Sequence, residues 1–276
     1  QVTPQHIDEC CKKYKLKKFN LLIVMYNGGY PLNAYNFVHI KKKYKCHILE
    51  DACHALGAEY FYNNKTVKIG SCSHSDISIF SLHPLKSITT GEGGVVTTNS
   101  KKIDKLIKLF RSHGIIRNKK KHWEYDVLHH SMNFRLTDFQ CELGMSQLSK
   151  IKKFISKRKK IADYYEKKLK NFSKYVHIQT KFKNYKPAYH LILMNLKNSN
   201  YKIKDNLLRF MKKNNINLQY HYIPIYKFKV FNDKFVKGQG EEYYKSTVSL
   251  PIFVDLEFKQ IDLIIKKLSF FFKKNF

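Results

Sequence analysis

The chain has 276 residues, 43% of them hydrophobic and 14% aromatic, which supplies a core and excludes a disordered polymer. At about 150 residues per domain it holds one large or two modest domains. Its formal net charge is +31, yet only five of the 52 basic residues are Arg and 47 are Lys; base readout favours the planar Arg fork, so the excess reads as a solvated, Lys-rich surface rather than a nucleic-acid-binding one.

In chain order, a helix precedes Leu21–Met25, which reads as a buried strand followed by a turn at Asn27-Gly28-Gly29. Residues 37–44 suit a short helix, 46–49 a strand ending on Glu50-Asp51, and 52–58 a turn into a helix. Residues 76–80 alternate as a strand, 95–98 form another after a Gly-rich turn, and 103–110 are helical by spacing. Helical periodicity dominates 137–169, with Thr137-Asp138 as its cap. Further on, 189–196 reads as a strand, 204–213 as a helix, 216–220 as a strand and 260–271 as a closing helix. Strands alternating with helices predict βαβ units around a parallel sheet, an α/β fold, with a domain change near residue 150.

The six cysteines form no C-x-x-C pair, so neither a zinc ribbon nor a redox motif nor a disulfide scaffold is read, and no metal site is expected. Buried free thiols fit a reducing cytoplasm. No secretory apolar run follows Gln1 and no stretch approaches the ~18 apolar residues of a membrane helix, so no membrane partner is expected.

The chemistry concentrates between residues 48 and 98. Asp51 falls at the carboxyl end of a predicted strand, where open α/β sheets place ligands. Lys86 is the only lysine between Lys68 and Lys101 and sits between a strand and a Gly turn. Burial there disfavours the ammonium and makes the amine a nucleophile for a carbonyl cofactor. A carboxylate against the pyridine nitrogen of pyridoxal phosphate is the matching need. Spacing alone leaves a surface pair or a cap as the commoner explanation.

The strings themselves say more. Residues 50–58 (EDACHALGA), 80–94 (FSLHPLKSITTGEGG) and 133–140 (NFRLTDFQ), with Leu143-Gly144 and Gln147-Leu148 after the last, closely resemble three signatures of the DegT/DnrJ/EryC1/StrS sugar aminotransferases; Ser249-Leu250-Pro251 adds a fourth. The resemblance spans nearly the whole chain. It implies an aspartate-aminotransferase-type (fold type I) pyridoxal 5'-phosphate fold: a mixed, mostly parallel sheet in a large cofactor-binding domain, residues 1–150, then a smaller α/β domain, residues 151–276. It implies that Lys86 carries the cofactor covalently and moves the proton, that Asp51 pairs with the pyridinium nitrogen, that His54 lies near the ring, and that Ser81 contacts the phosphate. It implies that Asn133 reaches the site of the neighbouring subunit in a homodimer. Cys53-His54, His83-Pro84 and residues 219–226 (QYHYIPIY) are most similar to the branch of pseudaminic acid biosynthesis, which aminates C4 of a UDP-linked 4-keto-6-deoxy-2-acetamido hexose with glutamate as donor. Gln219, His221 and Tyr222 then lie on the loop expected to meet the sugar nucleotide.

Family members carry a further N-terminal segment with a phosphate-cradling Gly-Thr or Gly-Ser loop and a ring-stacking aromatic, and neither has a counterpart here. Where they often read His-Phe-Ala-Gly, this chain has Tyr26-Asn27-Gly28-Gly29. Two readings therefore stand: a sugar-nucleotide aminotransferase, or a non-catalytic protein, either an accessory copy or a basic anion- or nucleic-acid-binding chain. Lys86 and Asp51 together favour the enzyme, and the Lys argues against the dehydratase branch, which has His there.

Overall fold

Thr3 starts the first helix, α1 (Pro4–Lys13): its hydroxyl accepts the His6 N–H, and the His6 ring accepts the Thr3 N–H in return. The structure, a computed structural model, describes residues 1–121, 123–178, 180–231 and 238–275. The apolar run after α1 becomes β1 (Leu21–Met25). Two 3-10 turns, Asn27–Gly29 and Ala34–Phe37, lead to α2 (Val38–Tyr44), which ends on Lys45 in the left-handed region. Then come β2 (His47–Asp51), the hairpin β3 (Glu59–Tyr62) and β4 (Lys65–Lys68), β5 (Ile77–Ser81) and β6 (Gly94–Thr97). The sheet order is β1-β2-β5-β6, with β1, β2 and β5 parallel and β6 antiparallel. This is the mixed, mostly parallel sheet the sequence implies.

Residues 52–58 form no helix. Ala55 N–H donates to Ala52 O and Ala58 N–H to Ala55 O, two successive turns that deliver the chain into β3. The hairpin turn is Asn63-Asn64, both at positive φ, which suits a two-residue reversal. Val24, Tyr26, Phe37, Ile40, Ile48, Ala52, Ala55 and Tyr60 are fully buried in one cluster, at roughly 2 kcal/mol for each large side chain.

Beyond the sheet, α3 (Lys101–Arg111) is capped by Ser100, β7 (Ile115–Arg117) pairs with β8 (Tyr125–Val127), and α4 (Asp138–Leu148) follows. The long predicted helix is in fact two: the Ser149 N–H turns back to Met145 O and Lys150 N–H to Gln147 O, and α5 (Ile151–Leu169) begins afresh. None of the residues of α3 or α4 is buried.

The chain divides into two units, residues 1–152 with 184–188, and residues 153–183 with 189–276. In the second unit α5 from residue 153 is followed by β9 (Val176–Ile178), and the chain then passes through β10 (Tyr185–Lys186), which belongs to the first unit by pairing antiparallel with β3. The second unit resumes with β11 (Ile192–Leu196), α6 (Tyr201–Lys213), α7 (Gln239–Ser246), β12 (Thr247–Leu250) and α8 (Phe258–Asn275). Its sheet, β12-β11-β9, is antiparallel. The strand read at 189–196 starts only at Ile192, since Tyr189 has a positive φ. Residues 216–220 are not a strand either, apart from a bridge between Gln219 and Ser249. On α8, Ile261, Ile264, Ile265, Leu268, Phe271 and Phe272 form the buried stripe that 3.6-residue periodicity dictates. The buried Arg158 of α5 donates to the carbonyls of Tyr189, His190 and Ile252. Tyr165 donates to Pro251 O, which accounts for the Ser-Leu-Pro string as a packing feature of this unit.

Candidate active site

Parallel pairing carries Met25, Asp51 and Ser81 to the same end of the first sheet: Met25 lies opposite Asp51, and Asp51 opposite Ile79, two residues before Ser81. The Asp51 carboxylate accepts the Cys53 N–H at 3.2 Å, a turn that starts the chain away from the strand. Tyr26 N–H donates to Asp51 O, and Ala52 N–H to Ile79 O, so both flanking strands hold the strand end. His54 is buried, and its Nδ1 accepts the Gly28 N–H at 3.2 Å, which leaves the proton of a neutral ring on Nε2. The turn after β1 is thereby tied to the turn after β2.

Lys86 lies on the loop between β5 and β6. Burial holds its ammonium below the usual lysine range, while the charge of the nearby Asp51 acts the other way. Among the described residues its Nζ makes no hydrogen bond or ion pair. The Cys53 thiol is pushed up to about 12, first by burial and then by its bond to Asp51, so it stays neutral beside Lys86. The Ser81 hydroxyl accepts the His83 N–H at 3.3 Å.

The 133–148 string holds this loop. Gln147 Oε1 accepts the Thr89 N–H at 3.0 Å, and Gln140 Nε2 donates to Glu92 O at 2.9 Å. Gly144 is where α4 meets the loop: a Cβ there would stand 2.9 Å from the Thr90 methyl. The sequence singled out these residues without a role; the structure shows them bracing the segment that presents Lys86.

Glu50 was passed over in sequence because a lone Glu beside an Asp carries no signal. It is 3% exposed, receives the Tyr26 hydroxyl at 2.7 Å and is also bonded by Ser78, a strap from the turn after β1 across β2 to β5, one residue from Asp51. Asn133 stands apart. It is exposed, its Oδ1 accepts the Arg135 N–H at 3.1 Å, and it bridges to Ser112. Gln219, His221 and Tyr222 belong to the second unit: Gln219 is bridged to Ser249, His221 Nδ1 lies 2.8 Å from Ser249 Oγ, and the Tyr222 ring stands edge-on to His221. Among the described residues no group of three or more His, Cys, Asp or Glu gathers as a metal site, and no helix is long and apolar enough to cross a membrane.

Residues 2–269 match the DegT/DnrJ/EryC1/StrS aminotransferase family, and the chain belongs to that family. It is 36% identical over 244 residues to the UDP-4-amino-4,6-dideoxy-N-acetyl-beta-L-altrosamine transaminase of Campylobacter jejuni serotype O:23/36, covering 86% of this chain and 61% of the relative. The Helicobacter pylori protein of the same name is 34% identical, covering 94% and 68%. The solved structure of Helicobacter pylori PseC, an aminotransferase involved in the biosynthesis of pseudoaminic acid, superimposes with a TM-score of 0.84 at 30% identity, covering 92% of this chain and 67% of that one. An aminotransferase from Psychrobacter cryohalolentis shares the fold at a TM-score of 0.83. The chain spans about three fifths of the length of the first Campylobacter relatives, 61% and 58%.

Proposed function

We propose that the chain serves a pyridoxal 5'-phosphate-dependent sugar-nucleotide aminotransferase, which aminates the C4 ketone of a UDP-linked 4-keto-6-deoxy-2-acetamido hexose with glutamate as donor, in the cytoplasm. The observation that carries this reading is the desolvated Lys86 amine, free of hydrogen bonds and ion pairs among the described residues, near Asp51 at the carboxyl ends of parallel strands. The relatives' names support the substrate class.

The donor set fits the cofactor. An amine with no hydrogen bond or ion pair among the described residues suits an aldehyde, a carboxylate held by Cys53 N–H suits a protonated ring nitrogen, and the Ser81 hydroxyl suits a phosphate. When bound, the group supplies an aldehyde that carries the amino group and a ring that draws electrons from the carbon being deprotonated. Lys86 Nζ takes and returns that proton, aided by an ammonium destabilised by burial. Asp51 would pair its carboxylate with the ring nitrogen of the bound group. His54, buried and held by the Gly28 N–H, would lie near the ring. Residues 1–150 form the cofactor-binding domain in this reading and 151–276 the smaller one, with Gln219, His221 and Tyr222 meeting the sugar nucleotide.

A homodimer completes the proposal, with Asn133 entering the neighbouring site. Its support is the apolar surface around that residue: Met132, Phe134 and, on α4, Phe139 and Met145 are all exposed, Phe139 by 91%.

The test is a visible absorption spectrum with added pyridoxal phosphate, then borohydride reduction and peptide mapping. A visible band with the reduced label on Lys86 supports the assignment. Label scattered over surface lysines, without a band, overturns it for this chain.

A further inference from the structure

The second unit holds a polar cluster whose parts converge on the loop after α6. Lys204 is 1% exposed. Its Nζ lies 3.6 Å from the Tyr244 ring centre, 5.3 Å from Tyr220 and 5.6 Å from Tyr201, and it donates to Tyr244 O. Tyr220 in turn stands edge-on to Tyr244 at 5.6 Å. A second anchor lies seven residues along the loop. Glu241 of α7 accepts the hydroxyls of Tyr226 and Tyr201 and pairs with Lys227 at 2.8 Å. Lys227 also stacks over Tyr201 at 4.5 Å.

The chemistry of each group explains the arrangement. An ammonium removed from water is costly unless something replaces its hydration, and three aromatic faces with a carbonyl do so. Burial holds Lys204 below the usual lysine range, with Lys227 acting in the same direction and Asp205 opposing. Glu241, also buried, finds three donors for its two oxygens. Tyr220 and Tyr226 flank the stretch that contains His221 and Tyr222, and each is bound to a buried charge on a helix, Lys204 on α6 or Glu241 on α7.

We propose that Lys204 and Glu241 form a two-point clamp that fixes residues 219–227 and so presets Gln219, His221 and Tyr222 for a nucleotide-linked sugar. The clamp itself needs only the contacts above; its role toward a ligand rests on the proposed reading of this loop. Lys204 and Glu241 are positioning residues: they act through Tyr220, Tyr226 and Lys227.

The experiment combines backbone hydrogen exchange with titration of UDP-N-acetylglucosamine, on the full chain and on three variants. Lys204→Met keeps the length of the side chain and removes the charge. Tyr220→Leu removes the ring at a position that is 37% exposed, so the variant stays folded if Lys204→Met does not. Tyr220→Phe keeps the ring. Exchange at 219–227 is expected to rise about tenfold in Lys204→Met and Tyr220→Leu, with α8 protection unchanged, and to stay at the parent level in Tyr220→Phe. Affinity for the UDP-sugar is expected to fall about tenfold in the same two variants. Unchanged loop exchange overturns the clamp. A loosened loop with unchanged affinity overturns the positioning role. If Gln219→Ala and Tyr222→Ala also leave affinity unchanged, or if the parent chain does not bind, the error lies in the reading of the loop as a substrate contact, and the ligand half of the proposal falls with it.

Discussion

Two lysines, Lys86 in the first unit and Lys204 in the second, are displaced from the ordinary range in the same direction and by the same cause, burial. Their surroundings differ. Lys204 has three tyrosine faces and a carbonyl around its ammonium, whereas Lys86 makes no hydrogen bond or ion pair among the described residues. Desolvation weakens both ammonium groups, but among the described residues only Lys86 lacks a direct hydrogen bond or ion pair to offset it, with Asp51 acting on it through charge alone. A depressed lysine thus marks a reactive amine only when its environment withholds a partner; with partners supplied, the same burial makes a structural rivet.

The largest effect should come from exchanging the fates of these two residues. Lys86→Ala is expected to lower turnover by more than about 10⁴-fold while shifting the unfolding free energy by less than about 1 kcal/mol. Lys204→Ala should instead cost about 2 kcal/mol or more, because a buried stem is deleted. Steady-state assay and urea unfolding of both variants check the crossing, and persistent turnover without Lys86 would break it.

Cys53 sharpens the contrast next, since a thiolate there would give Lys86 the partner it lacks. Its pKa is raised to about 12, so the neutral thiol prevails below that pH and the thiolate appears only as pH climbs through it. Alkylation of Cys53 at pH 8, followed by peptide mass spectrometry, should run about 10³-fold slower than at an ordinary thiol and accelerate about tenfold per pH unit. A rate matching that of the exposed Cys10 and Cys141 would refute the neutral thiol.

Asp51→Asn keeps the turn to Cys53 and removes the charge. The expected loss is about 10²-fold in kcat with cofactor affinity largely retained. Equal losses in both would make Asp51 a strand-end brace. The smallest effect belongs to Thr137→Ala, which removes one half of the α4 capping box and should cost about 1 kcal/mol by thermal unfolding. Because α4 braces the Lys86 loop through Gln140 and Gln147, hydrogen exchange at Thr89 should rise in parallel.

What could be read in advance follows from how local the signals are. Asp51 and Lys86 drew attention as a strand end and an isolated lysine, features of a few consecutive residues, but spacing alone left a surface pair or a cap as the commoner explanation and only the resemblance of the surrounding strings gave them roles. The strands β1, β2, β5 and β6 carried their own apolar patterns. Residues 52–58 misled because Ala-rich composition favours a helix, while the Asp51 turn and two backbone turns route the chain elsewhere. The β3–β4 hairpin, turning on Asn63-Asn64, was missed, as was the break at Ser149-Lys150. Lys204 was invisible: on a helix in a chain with 47 lysines it looks solvated, and two of the three tyrosines around it, Tyr220 and Tyr244, come sixteen and forty positions later. Glu50 likewise depends on distant partners, Tyr26 just after β1 and Ser78 of β5.

The loop that bears Lys86 is closed at its neck. Leu82 N–H donates to Gly93 O at 2.9 Å, and Thr90 N–H to Leu82 O at 3.0 Å. With its two limbs stitched together and its far side pinned by α4, this backbone has little freedom to swing. Whatever travel the amine makes must come from rotation about its own four-carbon stem, which runs in picoseconds to nanoseconds. The timing of that travel is then set by the side chain rather than by the opening of a backbone segment.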